Sequence, residues 1–454
     1  MPFLAFLALA IAPPSDWVPA RWASNDPKSL ELVRDTPVNC LVLESSLWSR
    51  EFSGAAAKVG VATLGVIRPG PDADALSQKA GQAGLSGVLL EGDFASALKD
   101  PPPSLTIVPL GLRSKMRFDS ASGIVGTYQG LWPGIHPEDK GATHAAASGA
   151  VWIDTNAGFL RFAHAASAGA SVWMGNVPPA GNLYPVERYL QAIGDASMNG
   201  ARWVIAFDDD LTKRLFAREE KALKAWRRVT AALDFYESHK DWRLYQAFGK
   251  LALVESPESG ALLSGGVLDM IATKHTPVRP VPSSAVAIEK FEGAEMAVDV
   301  DPGSLSTAQK DALKAFTRGG GTLLTGPPGW KFPSLQLDQI TLSKEDTEKL
   351  DLIWKELNSM TGRRNLGARL FNVSTLLSYL AAPADGHVVV LQLVNYADYP
   401  VESVTIHLLG KYRKALLYRP ESTTPVVLEL YPTDEGVGVD VEKMGVSAAI
   451  VLTP

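Results

Sequence analysis

Residues 61–90 read VATLGVIRPGPDADALSQKAGQAGLSGVLL and contain one strand–helix–strand unit. Val61–Ile67 and Gly87–Leu90 are short apolar runs without alternation, which is typical of parallel strands buried on both faces. Between them, Asp74–Ala83 has the composition of a helix, and Gly84 stands where helices commonly end. This stretch predicts a parallel sheet that is covered by helices.

The same unit recurs through the first half of the chain. The strand-like runs are Val38–Leu43, Val61–Ile67, Gly87–Leu90, Leu105–Leu110, Ile124–Tyr128, Ala150–Ile153, Ser171–Met174 and Ala201–Phe207. Eight strand–helix units of this size predict a closed TIM (β/α)₈ barrel rather than an open doubly wound sheet. No GxGxxG motif follows the first run, so the fingerprint of a dinucleotide-binding fold is missing.

Two further domains are predicted after the barrel, which we assign to residues 13–248. Residues 249–365 contain a second α/β unit with strand-like runs at Leu251–Val254, Val286–Ile288, Met296–Val300 and Thr322–Thr325. A helix over Ser306–Arg318 separates the last two runs and begins at a capping serine. From Val388 the pattern changes to period two with turns between the runs, which predicts a C-terminal β-sandwich within residues 366–454.

Composition limits the partners and cofactors of this chain. The formal net charge is −6, and no Lys/Arg stripe is available to neutralise a nucleic-acid backbone. Cys40 is the only cysteine, which excludes a disulfide framework and a multi-thiolate metal site. The seven histidines form no HExxH or similar pair. We therefore predict neither a metal nor another cofactor.

The first residues, MPFLAFLALAIA, are apolar and end in small side chains. This resembles the hydrophobic region and cleavage site of a secretory signal, although no Lys or Arg precedes it and Pro13 follows it. The alternative is a buried N-terminal strand. We expect residues 1–12 to be a signal peptide and the protein to be secreted or periplasmic, with no membrane span, since the run is too short to cross a bilayer.

Two groups of motifs resemble known families. Gly293–Val300, Ser306–Phe316 and Gly319–Gly326 resemble the class-I glutamine-amidotransferase-like domain of family 42 β-galactosidases. Gln129–Gly134 and Val151–Asn156 look like segments of secreted bacterial proteins described as glycoside-hydrolase-like. The resemblance implies the domain order of family 42: barrel, amidotransferase-like domain, β-domain. It does not imply amidotransferase activity, because the only cysteine lies in the barrel.

The resemblance to family 42 has one departure. That family carries its acid/base glutamate after strand 4 of the barrel and its nucleophilic glutamate after strand 7. Here the fourth predicted strand ends Leu110-Gly111-Leu112-Arg113 and the seventh ends Met174-Gly175-Asn176, so neither ends in a carboxylate. The amidotransferase-like domain mediates trimer contacts in family 42, which implies that this chain forms a homo-oligomer.

Functional side chains of such barrels come from the carboxyl ends of the strands. Carboxylates and amides there bond sugar hydroxyls, while indole faces stack on pyranose rings. The residues that we expect to bind a carbohydrate are Glu44, Trp48, Asp93, Tyr128, Gln129, Trp132, His136, Trp152, Asn156, Asn176, Asp209 and Asp210.

Glycoside hydrolysis needs two carboxyl groups, one as acid and one as nucleophile or base. Our catalytic candidates are Asp154, Asp208 and Glu91, with the roles unassigned because pKa follows environment. Each has a structural alternative: an aspartate at a strand end often caps the next helix. The run Asp208–Asp210 also offers the oxygen ligands that Ca²⁺ prefers, although consecutive acids point in different directions.

Two functions therefore remain open. The first is a secreted glycoside hydrolase that cleaves an oligo- or polysaccharide with a pair of carboxylates at the barrel mouth. The second is a catalytically inactive carbohydrate-binding or scaffold protein on a glycosidase-like barrel, motivated by the absence of carboxylates after strands 4 and 7. Fold alone cannot separate them, because barrels support many functions.

Overall fold

The computed structural model describes residues 10–137, 143–145, 155–167, 169–256, 275–300, 302–326, 344–362 and 364–454. The chain forms two compact units. The first comprises residues 1–130, 167–189 and 202–238, and the second comprises residues 131–166, 190–201 and 239–454. No helix among the described residues combines the length and apolar character needed to cross a bilayer.

The first ten described strands form two parallel sheets and one small hairpin. In chain order they are β1 (Pro19–Arg21), β2 (Cys40–Leu43), β3 (Ala62–Ile67), β4 (Gly87–Glu91), β5 (Thr106–Leu110), β6 (Ile124–Thr127), β7 (Ile135–Pro137), β8 (Thr143–Ala145), β9 (Ser171–Gly175) and β10 (Ala201–Val204). Strands β1 to β5 form one parallel sheet in sequence order, and β10, β9 and β6 form a second. The antiparallel hairpin of β7 and β8 belongs to the second unit.

Two isolated parallel bridges connect these two sheets. Gly111 pairs with Thr127 between β5 and β6, and Ala20 of β1 pairs with Ile205 just after β10. The amide of Arg21 donates to the carbonyl of Ile205 at 2.7 Å, which completes this second link. Pairing therefore continues through all eight strands of the two sheets.

Side chains from these strands share one buried core. Its members include Cys40, Val42, Ala62, Leu64, Val66, Leu89, Val108, Leu110, Ile124, Trp173 and Val204. Because side chains alternate across a strand, these residues define the face that the strands turn toward their common core. Burial raises the pKa of the Cys40 thiol, so this cysteine serves as a small apolar side chain.

The helices follow five of these eight strands. They are α1 (Arg50–Lys58), α2 (Ala73–Gln82), α3 (Ala157–Ala166), α4 (Val186–Met198), α5 (Asp209–Phe216) and α6 (Glu220–Ser238). Residues 22–39, 92–105 and 111–123 contain no α-helix, so strict strand–helix alternation is not observed. Mixed α/β structure with parallel sheets is confirmed.

Two strand predictions need correction. The strand β1 was not predicted, because its three residues include Pro19 and form no apolar run. The predicted run Val286–Ile288 is not a strand, because Val286 ends one 3₁₀ turn and Ile288 begins another. The predicted strand Ala150–Ile153 lies outside the described residues.

The middle of the second unit contains a four-stranded parallel sheet. Its members are β12 (Leu251–Glu255), β13 (Val278–Pro282), β14 (Met296–Asp299) and β15 (Thr322–Thr325), in the order β13-β12-β14-β15, while the short β11 (Gln246–Ala247) joins a C-terminal sheet. Pro280 and Pro282 are tolerated because β13 is an edge strand. Helix α7 (Thr307–Arg318) begins with a capping box formed by Ser306 and Gln309. Helix α8 (Lys344–Thr361) follows.

The remaining strands form two antiparallel sheets. They are β16 (Ala368–Phe371), β17 (Leu376–Ala382), β18 (Val389–Asn395), β19 (Val401–Leu409), β20 (Lys414–Arg419), β21 (Ser422–Leu428), β22 (Tyr431–Thr433), β23 (Gly436–Met444) and β24 (Ser447–Thr453). The orders are β11-β17-β18-β24-β20-β21 and β16-β19-β23-β22. Apolar side chains of both sheets share one core, to which Leu391 and Ile406 belong. The period-two pattern predicted this C-terminal antiparallel structure.

Candidate functional site

Four charged side chains lie at the carboxyl ends of the first four strands. Arg21 is the last residue of β1 and Glu91 the last of β4, while Glu44 and Arg68 directly follow β2 and β3. Glu44 is two residues beyond Val42, and Arg68 is two beyond Val66. By the period-two rule, they continue the face that forms the strand core. We call these four residues the arginine–glutamate cluster.

Hydrogen bonds and ion pairs connect all four side chains of this cluster. Arg68 binds Glu44 in a bidentate manner, with Nη1 to Oε2 and Nη2 to Oε1 both at 2.8 Å. The same Nη2 lies 2.9 Å from Oε2 of Glu91. Arg21 contacts Glu44 Oε1 at 3.3 Å and also donates to Glu91. Since one nitrogen bonds both glutamates, their nearest oxygens lie no more than about 6 Å apart, so the two carboxylates are neighbours.

The arginines determine the charge state of this cluster. The hydrogen bond from Arg68 lowers the pKa of Glu44, and partial burial opposes this only in part. The pKa of Arg68 is raised, chiefly by its hydrogen bond to Glu44. Glu44 is therefore held as a carboxylate, which can accept hydrogen bonds or stabilise positive charge but is poorly suited to donate a proton. Glu91 is the more enclosed of the two, with 10% of its side chain exposed against 46% for Glu44.

Further predicted residues of the first unit lie at neighbouring strand ends. Asp93 forms an ion pair with Lys115 at 2.5 Å. The side-chain oxygen of Gln129 accepts from the amide of Arg113 at 2.8 Å. Tyr128 is partly buried and packs against the strand core. Contacts of Asp93, Tyr128 and Gln129 with a substrate remain predictions.

Asp208 has a well-defined structural role. Its Oδ1 accepts from the amide of Leu211 at 2.9 Å and caps α5. Its Oδ2 accepts from the hydroxyl of Tyr189 at 2.6 Å and from the amide of Tyr184 at 3.2 Å. Burial, with this bond to Asp208, raises the pKa of Tyr189. Both oxygens of Asp208 thus accept bonds from the protein itself.

The other two members of the aspartate run are exposed. Asp209 and Asp210 occupy the first turn of α5, and Asp210 pairs with Arg214 one turn later at 3.1 Å. No group of three His, Cys, Asp or Glu side chains suited to a metal ion is found in the described part of the chain. The Ca²⁺ alternative for this run therefore has no structural support there.

The predicted asparagines hold backbone segments. Asn176 donates to the carbonyl of Gly130 at 2.8 Å. Asn156 accepts from the amide of Leu131 at 2.7 Å and donates to its carbonyl at 3.0 Å. In the second unit, Asn156 also bonds the buried carboxylate of Asp195 through its backbone and side-chain amides, at 2.8 and 2.9 Å.

Two of the three predicted tryptophans, Trp48 and Trp132, lie among the described residues. The indole of Trp48 donates to the carbonyl of Leu43 at 3.0 Å, lies against Gly65 and has the ammonium of Lys79 5.7 Å from its ring centre. Trp132 is buried. Trp152 and Asp154 lie outside the described residues, and for His136 only the backbone is described.

Sequence reasoning missed both arginines of the cluster. Arg68 had a usable signal, because it continues the alternation of Leu64 and Val66 one step past β3. Arg21 had none, since β1 was not recognised. Counting β1, the strand that ends in Glu91 is the fourth, and the strand predicted as the fourth, which ends without a carboxylate, is the fifth. The seventh strand, β9, still ends without one.

Comparisons with known proteins identify the kind of fold. The sequence matches no protein family model and no curated protein. The structure is similar to α-L-fucosidase isoenzyme 2 from Paenibacillus thiaminolyticus, with a TM-score of 0.62 and 10% identity over 96% of this chain and 99% of that chain. A maltogenic α-amylase from Thermotoga neapolitana matches 99% of both chains at 13% identity, but its TM-score of 0.23 carries no argument. The chain therefore shares the fold of this fucosidase.

Proposed function

We propose that this protein is a glycoside hydrolase that binds an oligo- or polysaccharide at the mouth of a (β/α)₈ barrel formed by β1–β6, β9 and β10. The observation that carries the proposal is the bond from one nitrogen of Arg68 to both Glu44 and Glu91. It brings two carboxylates together where barrels place their active sites. The α/β sheet and the β-sandwich that follow would complete the family 42 order.

The chemistry assigns different roles to these side chains. Glu91, held between two guanidinium groups, is suited to be the nucleophile or base. Glu44 and the arginines have donors and acceptors for sugar hydroxyls once a substrate displaces part of the ion pairing. The general acid must be a residue outside the arginine–glutamate cluster, and we assign this role to Asp154. Asp208 is less suited to it, because its carboxylate caps α5.

A glycan panel with variants tests this assignment. We expect Glu91→Gln to lower kcat by at least about 100-fold while leaving the unfolding temperature close to that of the wild type. Asp154→Asn should do the same for substrates with poor leaving groups. Glu187→Gln removes a carboxylate that is paired with Arg228 on a helix surface and serves as the matched control. Unchanged turnover of Glu91→Gln contradicts the role of Glu91.

The second candidate is carbohydrate binding without hydrolysis. It is favoured by the lowered pKa of Glu44 and by Asn176, which takes the place of a carboxylate after the seventh strand. Calorimetry that detects sugar binding by a protein with no measurable hydrolysis would select it. Hydrolysis abolished by one carboxylate substitution would exclude it. Export directed by residues 1–12 and self-association are proposals too, to be tested by N-terminal sequencing and by light scattering.

A further inference from the structure

The outer face of the C-terminal four-stranded sheet carries a row of aromatic side chains. Phe371 of β16 and His407 of β19 have ring centres 4.8 Å apart, and Tyr431 of β22 follows at 6.3 Å from His407. These residues alternate with Leu370, Ile406 and other side chains of the shared core, so they point away from it. We call Phe371, His407, Tyr431 and the adjacent Arg369 the outer-face site.

Tyr431 packs closely against the backbone of β23. A Cβ on Gly438 would stand 2.2–2.3 Å from two of its ring atoms, so only glycine at that position lets the ring approach the backbone of β23. Asp440 fixes the hydroxyl of Tyr431 at 3.3 Å, and Thr405 in turn donates to Asp440 at 2.7 Å. The side chain is partly exposed, so part of the ring is accessible from the outer side of the sheet.

The aromatic row opens into a cavity of about 550 Å³. Its lining includes Asn365, Arg369, His407, Tyr431, Asp434 and Glu435. This volume lies within the usual range of small-ligand sites. Arg369 also has its guanidinium 5.3 Å from the ring centre of Phe371, which holds the charged group beside the row.

These groups match the chemistry of a sugar. An outward aromatic face stacks on the C–H face of a pyranose, and a guanidinium with nearby carboxylates bonds its hydroxyls. A phosphate-bearing ligand would need a cluster of cations, whereas this lining has two carboxylates beside one arginine. We propose that the outer-face site is a second carbohydrate-binding site, for one or two sugar units of the polysaccharide whose cleavage is the proposed function. The inference rests on that function.

Affinity electrophoresis of the full chain through gels with immobilised polysaccharides tests this proposal. We expect Tyr431→Ala to lose most of the wild-type retardation, at least about tenfold in apparent affinity, since stacking aromatics dominate such sites. Gly438→Ala should weaken retardation by displacing the tyrosine ring. Tyr399→Ala, at an exposed tyrosine of the same unit, should have no effect. Circular dichroism and the unfolding temperature confirm that each variant is folded.

Mouth binding is measured separately, through hydrolysis of short soluble oligosaccharides and the Glu91→Gln variant. Retardation lost in Tyr431→Ala but kept in Glu91→Gln supports the outer-face site, whatever the catalytic result. Retardation lost in Glu91→Gln and kept in Tyr431→Ala supports the mouth alone and overturns the inference. Absence of retardation of the wild type by every glycan also overturns it, while hydrolysis of soluble substrates would leave the proposed function intact.

Discussion

At the scale of single residues, the arginine–glutamate cluster gives a direct pH prediction. The pKa of Glu44 is lowered in the folded state, first by its hydrogen bond to Arg68. Its ionisation therefore stabilises the fold above the unfolded pKa, which is about 4.3 for glutamate, and this stability is lost as the pH falls through the lower folded value. We expect Arg68→Gln to raise the pKa of Glu44 and to reduce the loss of stability below about pH 4.5.

A carboxyl-carbon NMR titration, assigned with Glu44→Gln, measures this shift. Arg214→Gln is the control, because Arg214 pairs with Asp210 and Glu219 and has no contact with Glu44. An unchanged titration of Glu44 in Arg68→Gln would mean that Arg21 or backbone groups determine its charge.

The buried Asp195 gives a second prediction at this scale. Its carboxylate accepts from the hydroxyls of Thr155 at 2.7 Å and Tyr396 at 2.6 Å, besides its two bonds from Asn156. Asp195→Ala leaves these buried donors without their acceptor, and we expect it to lower the free energy of unfolding by about 3 kcal/mol. Asp234→Ala, at an exposed position of α6, should stay within about 0.5 kcal/mol. Urea unfolding at pH 7 measures both, and equal effects would disprove the role of the network.

At the scale of elements, a strand could be predicted where its sequence carries a clear local hydrophobic pattern. Long apolar runs such as Val61–Ile67 and the period-two strands after Val388 were recognised, because burial on one or both faces leaves a repeat in the sequence. The strand β1 leaves no such repeat in the sequence. It has only three residues, begins with proline and forms through its pairing with Leu41 and Ile205. Because β1 was not predicted, Arg21 was not recognised as a residue at a strand end. For the same reason, Glu91 was assigned to the third strand instead of the fourth.

Helix α5 gives the prediction at this scale. Asp208→Ala removes the cap of α5 and the acceptor of the Tyr189 hydroxyl, so we expect a loss of about 2 kcal/mol or more in the free energy of unfolding. Asp208→Asn keeps a good capping residue and should cost less. Asp209→Ala, exposed in the same first turn, is the control. A folded Asp208→Asn protein that has lost all hydrolysis would instead assign Asp208 a catalytic role.

At the scale of the whole molecule, the course of the chain limits what a sequence pattern can predict. The sequence indicates three consecutive domains, with a boundary after residue 248. In the structure, residues 131–166 and 190–201 cluster with the C-terminal part. Arg161 of α3 bonds the carbonyl of Ser378 at 2.8 Å and lies 4.7 Å from the ring centre of Tyr379. Periodicity reports only local burial, so contacts across more than 200 residues of chain leave no trace in it.

This arrangement predicts how fragments cut at the boundary behave. Ala157 and Met198 share a buried core with Leu377, Tyr379 and Tyr396, so a fragment of residues 249–454 exposes the last three. We expect the fragment alone to bind a hydrophobic dye and to unfold well below the full chain, because exposed apolar side chains each cost about 1.5–3 kcal/mol. Co-expression with residues 13–248 should restore part of the loss. A fragment that unfolds cooperatively at the temperature of the intact protein would instead establish residue 248 as a true domain boundary and make the α3 and α4 contacts dispensable.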